Sequence, residues 1–177
     1  SLAVDFETAA TCTLTVTSLS DDGSTSIASF DVQITDYDEF DVTQPVDDND
    51  DDNEIPEDAS TGTNANITAS SEDLDGTTNV VTYSIVSQTC NGAFSIDASS
   101  GEVSVATTTA IDHEVASTCE ITIRATSADG STADSTFTVA ITDVNDNAPQ
   151  YTATNANPEV SEGLTSVDTL AITDADS

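Results

Sequence analysis

Short runs in which apolar and polar residues alternate recur along the chain, each bounded by Gly, Asn, Asp or Ser. Alternation with a period of two is typical of a strand that buries one face. The central part of the chain is predicted to form a weak first strand and six clearer ones, near 65–70, 80–87, 93–97, 102–107, 118–126 and 135–142. No segment has the period of an amphipathic helix. The pattern therefore predicts an all-β fold, a seven-stranded Greek-key sandwich of the immunoglobulin-like type.

An internal repeat gives the chain its organisation. When the sequence is shifted by 107 residues, positions 3–40 align with 110–147 without a gap, and 17 of these 38 positions are identical. The identical positions include Cys12 and Cys119. A period of this length is about one sandwich domain. We therefore divide the chain into the C-terminal part of a repeat A (1–40), a complete repeat B (41–147) and the N-terminal part of a repeat C (148–177).

The charge of the chain excludes several functions. There are 34 Asp and Glu residues against a single Lys or Arg, which gives a formal net charge of −33. A surface this acidic repels phosphates and anionic lipids, so we expect neither nucleic-acid binding nor direct membrane contact. The sequence has neither a transmembrane run nor a signal peptide, so any export is expected to depend on sequence outside this chain.

No pattern of catalytic residues is evident. The lone histidine, His113, lies between two acidic residues and has no Ser or Cys nucleophile in a recognisable arrangement with it. Gly-rich phosphate loops are also missing from the sequence. We expect the protein not to be an enzyme.

Carboxylates concentrate where the predicted repeats end. Asp143-Val-Asn-Asp-Asn147-Ala-Pro follows the last strand of repeat B, and Asp112-His-Glu114 precedes its sixth strand. Glu57 lies near the start of repeat B, while Asp73-Leu-Asp75 and Asp174-Ala-Asp176 occupy matching places in repeats B and C. Calcium takes six to eight oxygen ligands, which carboxylates, side-chain amides and free backbone carbonyls supply. These segments are therefore candidate calcium ligands.

In this combination and order the chain resembles tandem cadherin repeats, over essentially all of its 177 residues. The motifs that carry the resemblance are DxNDNxP at 143–149, DxE at 112–114, Pro-Glu at 56–57 and DxD-Gly-x-x-Asn at 73–79. The resemblance implies three Ca²⁺ ions at a junction, which fix the angle between neighbouring repeats. At the B–C junction the implied ligands are Glu57, Asp112, Glu114, Asp143, Asn145, Asp146, Asp174 and Asp176, with the backbone carbonyls of Val144 and Asn147.

The A–B junction departs from the family pattern. Asp36-Tyr-Asp38-Glu39-Phe40 stands where DxNDN is expected, and the family's A-x-D motif falls on Ala125-Thr-Ser127. The nearest carboxylate to that motif is Asp129, two residues further on. Side chains that can supply oxygen ligands are still present at this junction, so we expect it to bind Ca²⁺ with altered geometry. The implied ligands are Asp5, Glu7, Asp36, Asp38, Glu39, Asp73, Asp75 and Asn79, with Asp129 as an additional candidate from repeat B.

An acidic run at 47–54 separates these two sets of ligands. One interpretation is a solvated, partly disordered insertion, which is typical of like-charge blocks. The other is an extra calcium loop, because Asp47, Asn49, Asp51 and Asn53 alternate as oxygen donors do in EF-hand-like loops, although the usual Gly is replaced by Asp52.

Two covalent features are also predicted. In a sandwich of this family, Cys90 and Cys119 lie at the ends of neighbouring antiparallel strands, so we expect a disulfide between them, with two buried thiols as the alternative. Cys12, the equivalent of Cys119, would pair with a cysteine before residue 1. Asn66-Ile-Thr68 is an N-glycosylation sequon, which makes Asn66 a candidate glycan acceptor.

The function implied by the resemblance is that of an extracellular adhesion rod stiffened by Ca²⁺. Its partners would be other cadherin-like repeats of the same longer chain and like chains in an adhesive assembly. The chain has no Trp, a residue that the outermost classical cadherin repeats use for strand exchange, so we do not expect direct adhesive contact by this segment. The alternative is a glycosylated structural subunit of an extracellular fibre or filament.

Overall fold

The computed structural model describes residues 4–153, 162–163 and 170–176; the predicted outer limits of repeats A and C, at residues 1 and 177, lie outside them. Twelve strands are described: β1 Thr11–Leu19, β2 Thr25–Gln33, β3 Val46–Asp47, β4 Glu54–Pro56, β5 Asn64–Ser70, β6 Val81–Gln88, β7 Phe94–Ile96, β8 Glu102–Val105, β9 Thr118–Ser127, β10 Thr132–Thr142, β11 Gln150–Ala153 and β12 Leu170–Thr173. A single 3₁₀ turn at Thr108–Ala110 is the one helical element of the described chain. No helix among these residues is long and apolar enough to span a membrane.

The eight strands β3 to β10 form two four-stranded sheets, in the orders β4-β10-β9-β6 and β3-β5-β8-β7. Every pairing is antiparallel except that of β4 with β10, which is parallel. Because β3 and β4 are two halves of one first strand that changes sheets, the arrangement is a seven-stranded sandwich. The predicted all-β fold is confirmed.

The core lies between the two sheets and is built from alternate residues of each strand. On β9, every second residue from Cys119 to Ser127 is buried, whereas those between are exposed or half-buried. Full burial of an aliphatic side chain stabilises a fold by about 1.5–3 kcal/mol. The most buried side chains of the core are Ile55, Ile67, Val103, Val105, Cys119, Ile121, Ile123 and Val139.

The acidic run forms an ordered crossover between the two sheets, and the expectation of partial disorder is wrong. The Asp47 carboxylate accepts hydrogen bonds from the Asn49 and Thr68 amides at 3.1 and 3.0 Å, and from the Asn53 side-chain amide at 3.0 Å. The Asn53 carbonyl accepts the Ala140 amide at 2.8 Å. Polar side chains thus replace apolar burial in holding this segment.

The acidic run does not bring carboxylates together as the extra calcium loop would require. Within the described residues, none of its side chains belongs to a group of three carboxylates or other metal ligands that could share an ion. The reason is local, because Asp47 is turned toward backbone amides and Asn49 accepts the Asp51 amide at 2.8 Å.

Repeats A and C are each described as a single antiparallel pair that matches part of repeat B. The hairpin of β1 and β2 has the same register as β9 and β10, since Cys12 faces Val32 as Cys119 faces Val139. Its apolar side chains are exposed, whereas their equivalents in repeat B are in the core. In repeat C, β11 pairs with β12.

A disulfide joins Cys90, which follows β6, to Cys119 on β9, with the Cα atoms 5.6 Å apart. Because β6 and β9 are antiparallel neighbours, the end of one strand lies beside the start of the other. The bond closes a loop with a sequence separation of 29 residues at one edge of the core. Cys12 is a free, exposed cysteine.

Candidate metal centres at the repeat junctions

Carboxylates converge at both junctions. Within the described residues there are four groups of three in which one ligand atom per residue lies within 4.8 Å of the others. Two groups lie at the A–B junction and two at the B–C junction. The members are Glu7, Asp36 and Glu39; Asp38, Asp75 and Asp129; Glu57, Asp112 and Glu114; and Glu114, Asp143 and Asp176.

The first A–B group is assembled by the segments on either side of the β1–β2 hairpin. Glu7 precedes β1, whereas Asp36 and Glu39 follow β2 in the linker to repeat B. The hairpin brings the two segments together, as the bond from the Ile34 amide to the Ala10 carbonyl at 3.0 Å shows. Three carboxylates from repeat A and its linker therefore face one point.

The second A–B group spans the boundary between the linker and repeat B. Asp75 is fully buried, and its carboxylate accepts hydrogen bonds from the Glu39 and Phe40 amides, each at 3.2 Å. Asp38 comes from the linker, and Asp129 from the turn between β9 and β10. Residues far apart in sequence thus share one site.

Gly76 of repeat B lies close against repeat A. Its amide donates to Glu7 Oε1 at 3.0 Å, and a Cβ at this position would lie 2.6 Å from the Phe6 ring. Beside it, the Thr77 hydroxyl donates to Asp36 Oδ2. Sequence reasoning missed Phe6, Gly76 and Thr77; the signal available was Gly directly after the DxD motif.

At the B–C junction Glu57 is the most buried of the candidate ligands that the structure describes. Its side chain is buried, and it accepts the Val144 amide on Oε1 and the His113 amide on Oε2, both at 2.7 Å. These two backbone donors lower the pKa of Glu57, with His113 the larger cause. Glu57 is therefore held as a carboxylate between Asp112 and Glu114.

Repeat C reaches the same junction through Asp176. Its carboxylate accepts the Asn147 amide at 2.9 Å and the Asn147 side-chain nitrogen at 2.8 Å. Asp174 accepts the Asp176 amide at 3.3 Å. The backbone amide of Asn147 donates to Asp176 as the amide of Phe40 donates to Asp75, so the two junctions share this contact.

The electrostatics of both junctions reflect unbalanced negative charge. Partial desolvation, then the charges of Asp129 and Asp75, raise the pKa of Asp38. Desolvation, then the charges of Glu57 and Asp176, raise the pKa of Asp146. A carboxylate whose pKa rises in this way is stabilised by a nearby cation. Desolvation followed by neighbouring carboxylates likewise raises the pKa of Glu39 and of Glu114.

Two oxygens in the A–B junction fit a bound cation. Asp36 Oδ1 and Asp73 Oδ2 are buried and have no hydrogen-bond partner, and Asp73 itself is only 8% exposed. Burying an unpartnered carboxylate oxygen is unfavourable unless a metal ion or another donor satisfies it. The donor set is entirely oxygen, which suits Ca²⁺ better than softer metals.

The other predicted site residues lie around these groups. Asp5 accepts the Thr8 amide and hydroxyl at 3.1 and 2.9 Å, and Asn79 and Asn145 are exposed at the A–B and B–C ends of repeat B. Asn66 lies within β5 with a φ of 58°, and its side-chain nitrogen donates to the Asp52 carbonyl at 2.9 Å.

Taken together, the fold and the junctions define a class: tandem β-sandwich repeats with acidic, oxygen-rich boundaries. The family model for the cadherin domain matches residues 52–144. The chain belongs to the cadherin family.

Two similar relatives are protocadherins. Mouse (Mus musculus) Protocadherin Fat 4 is 39% identical over 131 residues, which is 70% of this chain and 2% of that protein. Human (Homo sapiens) Protocadherin-16 is 37% identical over 76 residues, or 43% of this chain and 2% of that protein. The chain thus spans about 2% of the length of these relatives.

Solved structures of cadherin ectodomains share the fold. The extracellular domain of Protocadherin GammaB4 superposes with a TM-score of 0.78 at 24% identity, covering 99% of this chain and 28% of that one. Repeats EC22–24 of mouse Cadherin-23 superpose with a TM-score of 0.72 at 22% identity, covering 98% and 56%.

Proposed function

We propose that this chain is a segment of an extracellular adhesion rod in which Ca²⁺, bound at the junctions between repeats, fixes the angle between neighbouring sandwiches. The observation that carries the proposal is that carboxylates from both sides of each repeat boundary converge, as Asp38 does with Asp75 and Asp143 with Asp176. Family membership supports it, since the matched model covers most of repeat B, from 52 to 144.

The physical basis is the balance of charge at each junction. The B–C ligand set holds seven carboxylates, and among the described residues the one cation outside the junctions, Arg124, is paired with Asp134 at 2.8 Å. Without metal, these carboxylates repel one another and the junction opens. Divalent ions shared between ligands of two repeats reverse that repulsion and hold the repeats together.

The same residues support a non-enzymatic role. The clustered carboxylates have ligand atoms within 4.8 Å of one another, which favours metal binding, and His113 turns its ring to the Ile141 carbonyl, with Nδ1 2.7 Å from the oxygen. The extracellular location is supported by the disulfide, which is typical of oxidising compartments. A glycan on Asn66 and assembly into a fibre stay predictions.

Calcium calorimetry on the 177-residue chain tests the proposal. We expect heat of binding and a melting temperature that rises with Ca²⁺ concentration, because an ion that binds only the folded state stabilises it. Glu114→Gln, which belongs to both B–C groups, should weaken binding, whereas Asp97→Asn, which caps a turn outside the junctions, should not. A melting temperature unchanged by Ca²⁺, with no heat of binding, would refute the proposal.

A further inference from the structure

The turn between β9 and β10 places a carboxylate in the A–B junction from an unexpected position. Asp129 lies half-buried with Asp38 and Asp75, ligand atoms within 4.8 Å of one another. In the A-x-D motif of the family, the acidic position falls on Ser127, two residues earlier. Ser127 is 4% exposed, and its hydroxyl donates to the Thr78 carbonyl at 2.8 Å. Its side chain is thus committed to positioning the neighbouring loop.

Local geometry explains how Asp129 reaches the site. The Gly130 amide closes the turn on the Ser127 carbonyl at 3.0 Å, with Gly130 at a φ of 100° that favours glycine. The Asp129 Oδ1 atom accepts the Ser131 amide at 2.6 Å. The Ser131 hydroxyl in turn accepts the Val42 amide at 2.9 Å, which ties the turn to the linker. One oxygen of Asp129 thus orients the side chain, and the carboxylate lies beside those of Asp38 and Asp75.

The chain contains the same turn a second time, away from the junction. Asp22-Gly-Ser-Thr joins β1 to β2, and Asp22 Oδ1 accepts the Ser24 amide at 3.0 Å, as Asp129 accepts Ser131. Within the described residues, Asp22 belongs to no carboxylate group. The turn alone is therefore not enough to form a group of carboxylates. The group around Asp129 depends on the neighbouring residues of the A–B junction.

A second observation points to a cation at this place. Asp73 is nine-tenths buried, its Oδ2 atom has no hydrogen-bond partner, and its charge acts on Asp38. Asp75, fully buried, also contributes to the group. Three carboxylates thus gather next to Asp73, whose Oδ1 atom accepts the Asp75 amide at 3.0 Å and whose Oδ2 atom is left unsatisfied, and in the described chain no basic side chain lies among them. An all-oxygen set of this kind suits a divalent cation such as Ca²⁺.

We propose that Asp129, which belongs to repeat B, completes a cation site with Asp38 and Asp75 at the A–B junction. Asp129 then performs the role that the family pattern assigns to the position of Ser127. The inference rests on the proposed calcium function and adds to it a relocated ligand. Asp38 also stands where the B–C junction has the amide Asn145, so the linker offers a charged oxygen donor here instead of a neutral one.

Terbium luminescence reports on this site in particular. Tyr37 lies between Asp36 and Asp38 and is 79% exposed, so it is placed to sensitise Tb³⁺ bound at the A–B junction. A Tyr151→Phe background removes the exposed tyrosine near the B–C junction. In this background, Asp129→Asn should lower the number of bound Tb³⁺ ions by one, or weaken the affinity for that ion by about tenfold or more. Competition with Ca²⁺ should show the same loss of a bound ion or of affinity.

Two control variants separate a ligand from a general charge effect. Asp22→Asn removes the same residue from the same type of turn, and Asp41→Asn removes an exposed charge from the same linker. Both should leave stoichiometry and affinity unchanged. The double variant Ser127→Asp with Asp129→Asn should regain the lost ion if its fold, checked by circular dichroism, is intact.

The outcomes distinguish this inference from the function on which it rests. If the parent chain binds several ions and Asp129→Asn binds as many with equal affinity, the relocated ligand is wrong and the calcium function stands. If Asp41→Asn weakens binding as much as Asp129→Asn, Asp129 acts only through its charge and is not a ligand. If the parent chain binds no ion, both fail together.

Discussion

Arg124 is paired on the outer face of the sheet rather than placed at a junction. Its Nε and a terminal nitrogen donate to the two oxygens of Asp134, both at 2.8 Å, across neighbouring strands. The two side chains remain 43% and 39% exposed, so water screens the pair and its contribution to stability is small. The chain therefore has almost no internal means of neutralising its carboxylates.

The Arg124 pair makes a pH prediction. Hydrogen bonding to Arg124 lowers the pKa of Asp134, so the pair stabilises the fold above the unfolded-state pKa and this contribution is lost as pH falls through the folded-state pKa. In Arg124→Gln, we expect the Asp134 pKa to rise toward its ordinary value in an NMR titration. Asp97, whose pKa is lowered by the Ser100 and Ser99 amides, is the internal control and should not move. An unchanged Asp134 would contradict the assignment.

The disulfide makes a second prediction at the residue scale. Cross-linking a loop of about 30 residues stabilises a fold by roughly 3–4 kcal/mol in the chain-entropy model. We therefore expect the double variant Cys90→Ala, Cys119→Ala to lose stability of this order in urea denaturation, with part of the loss due to the buried sulfurs. Cys12→Ala, at an exposed thiol, is the control and should have little effect. Equal stability of the two variants would show that the bond does not hold the sandwich.

At the scale of elements, the fit between β5 and the turn before β8 depends on a glycine. Gly101 has a φ of 73°, and a Cβ there would lie 2.1 Å from the Ala69 carbonyl oxygen. That close approach lets the Ala69 amide donate to the Gly101 carbonyl at 2.9 Å, which continues the pairing of the two strands. The turn and the edge of the sheet therefore depend on one another.

Substitution of this glycine should be markedly destabilising. Gly101→Ala combines an unfavourable φ with a clash against backbone, and we expect a loss of about 2–4 kcal/mol. Gly92→Ala has a similar φ of 82° but no atom within 4 Å of the added Cβ, so it should lose only about 1 kcal/mol. Thermal denaturation of the two variants measures the difference. Similar losses would mean that the close approach is unimportant.

Most elements of repeat B could be predicted because their signal is local. Alternation fixed β5, β6 and β9 to within about one residue. The last strand, β10, begins at Thr132 rather than 135, since Thr132 and Asp134 pair with Thr126 and Arg124 although they add no apolar alternation. The division of the first strand could not be predicted, because hydrogen bonds of Asp47 rather than buried side chains hold it.

The candidate sites were predictable to a similar degree. The order of the motifs along the chain predicts which linker carboxylates lie at each junction. The structure brings Glu57, Glu114 and Asp176 to one junction. For contacts between two repeats the sequence offers only the glycine after the DxD motif, which does not name its partners. These contacts are Phe6 against Gly76, and the Thr77 hydroxyl on Asp36. Sequence could name Asp129 as a candidate, but only the fold of its turn shows which carboxylates it joins.

At the scale of the whole molecule, the repeats are joined by acidic linkers. The stability of repeat B comes from its own core, disulfide and strand pairing. We expect the angle between repeats to depend instead on a few contacts and on charge. Removal of metal should therefore change the orientation of repeats without unfolding repeat B.

The most direct test of this claim is a distance measurement across the A–B junction. One spin label on Cys12, the free exposed cysteine of the described chain, and one on Ser84→Cys, on the exposed face of β6, report the orientation of repeat A relative to repeat B. Pulsed electron paramagnetic resonance should give a narrow distance distribution in millimolar Ca²⁺ and a broad one in chelator, with unchanged circular dichroism. A distribution of the same width in both conditions would contradict calcium as the stiffener of this chain.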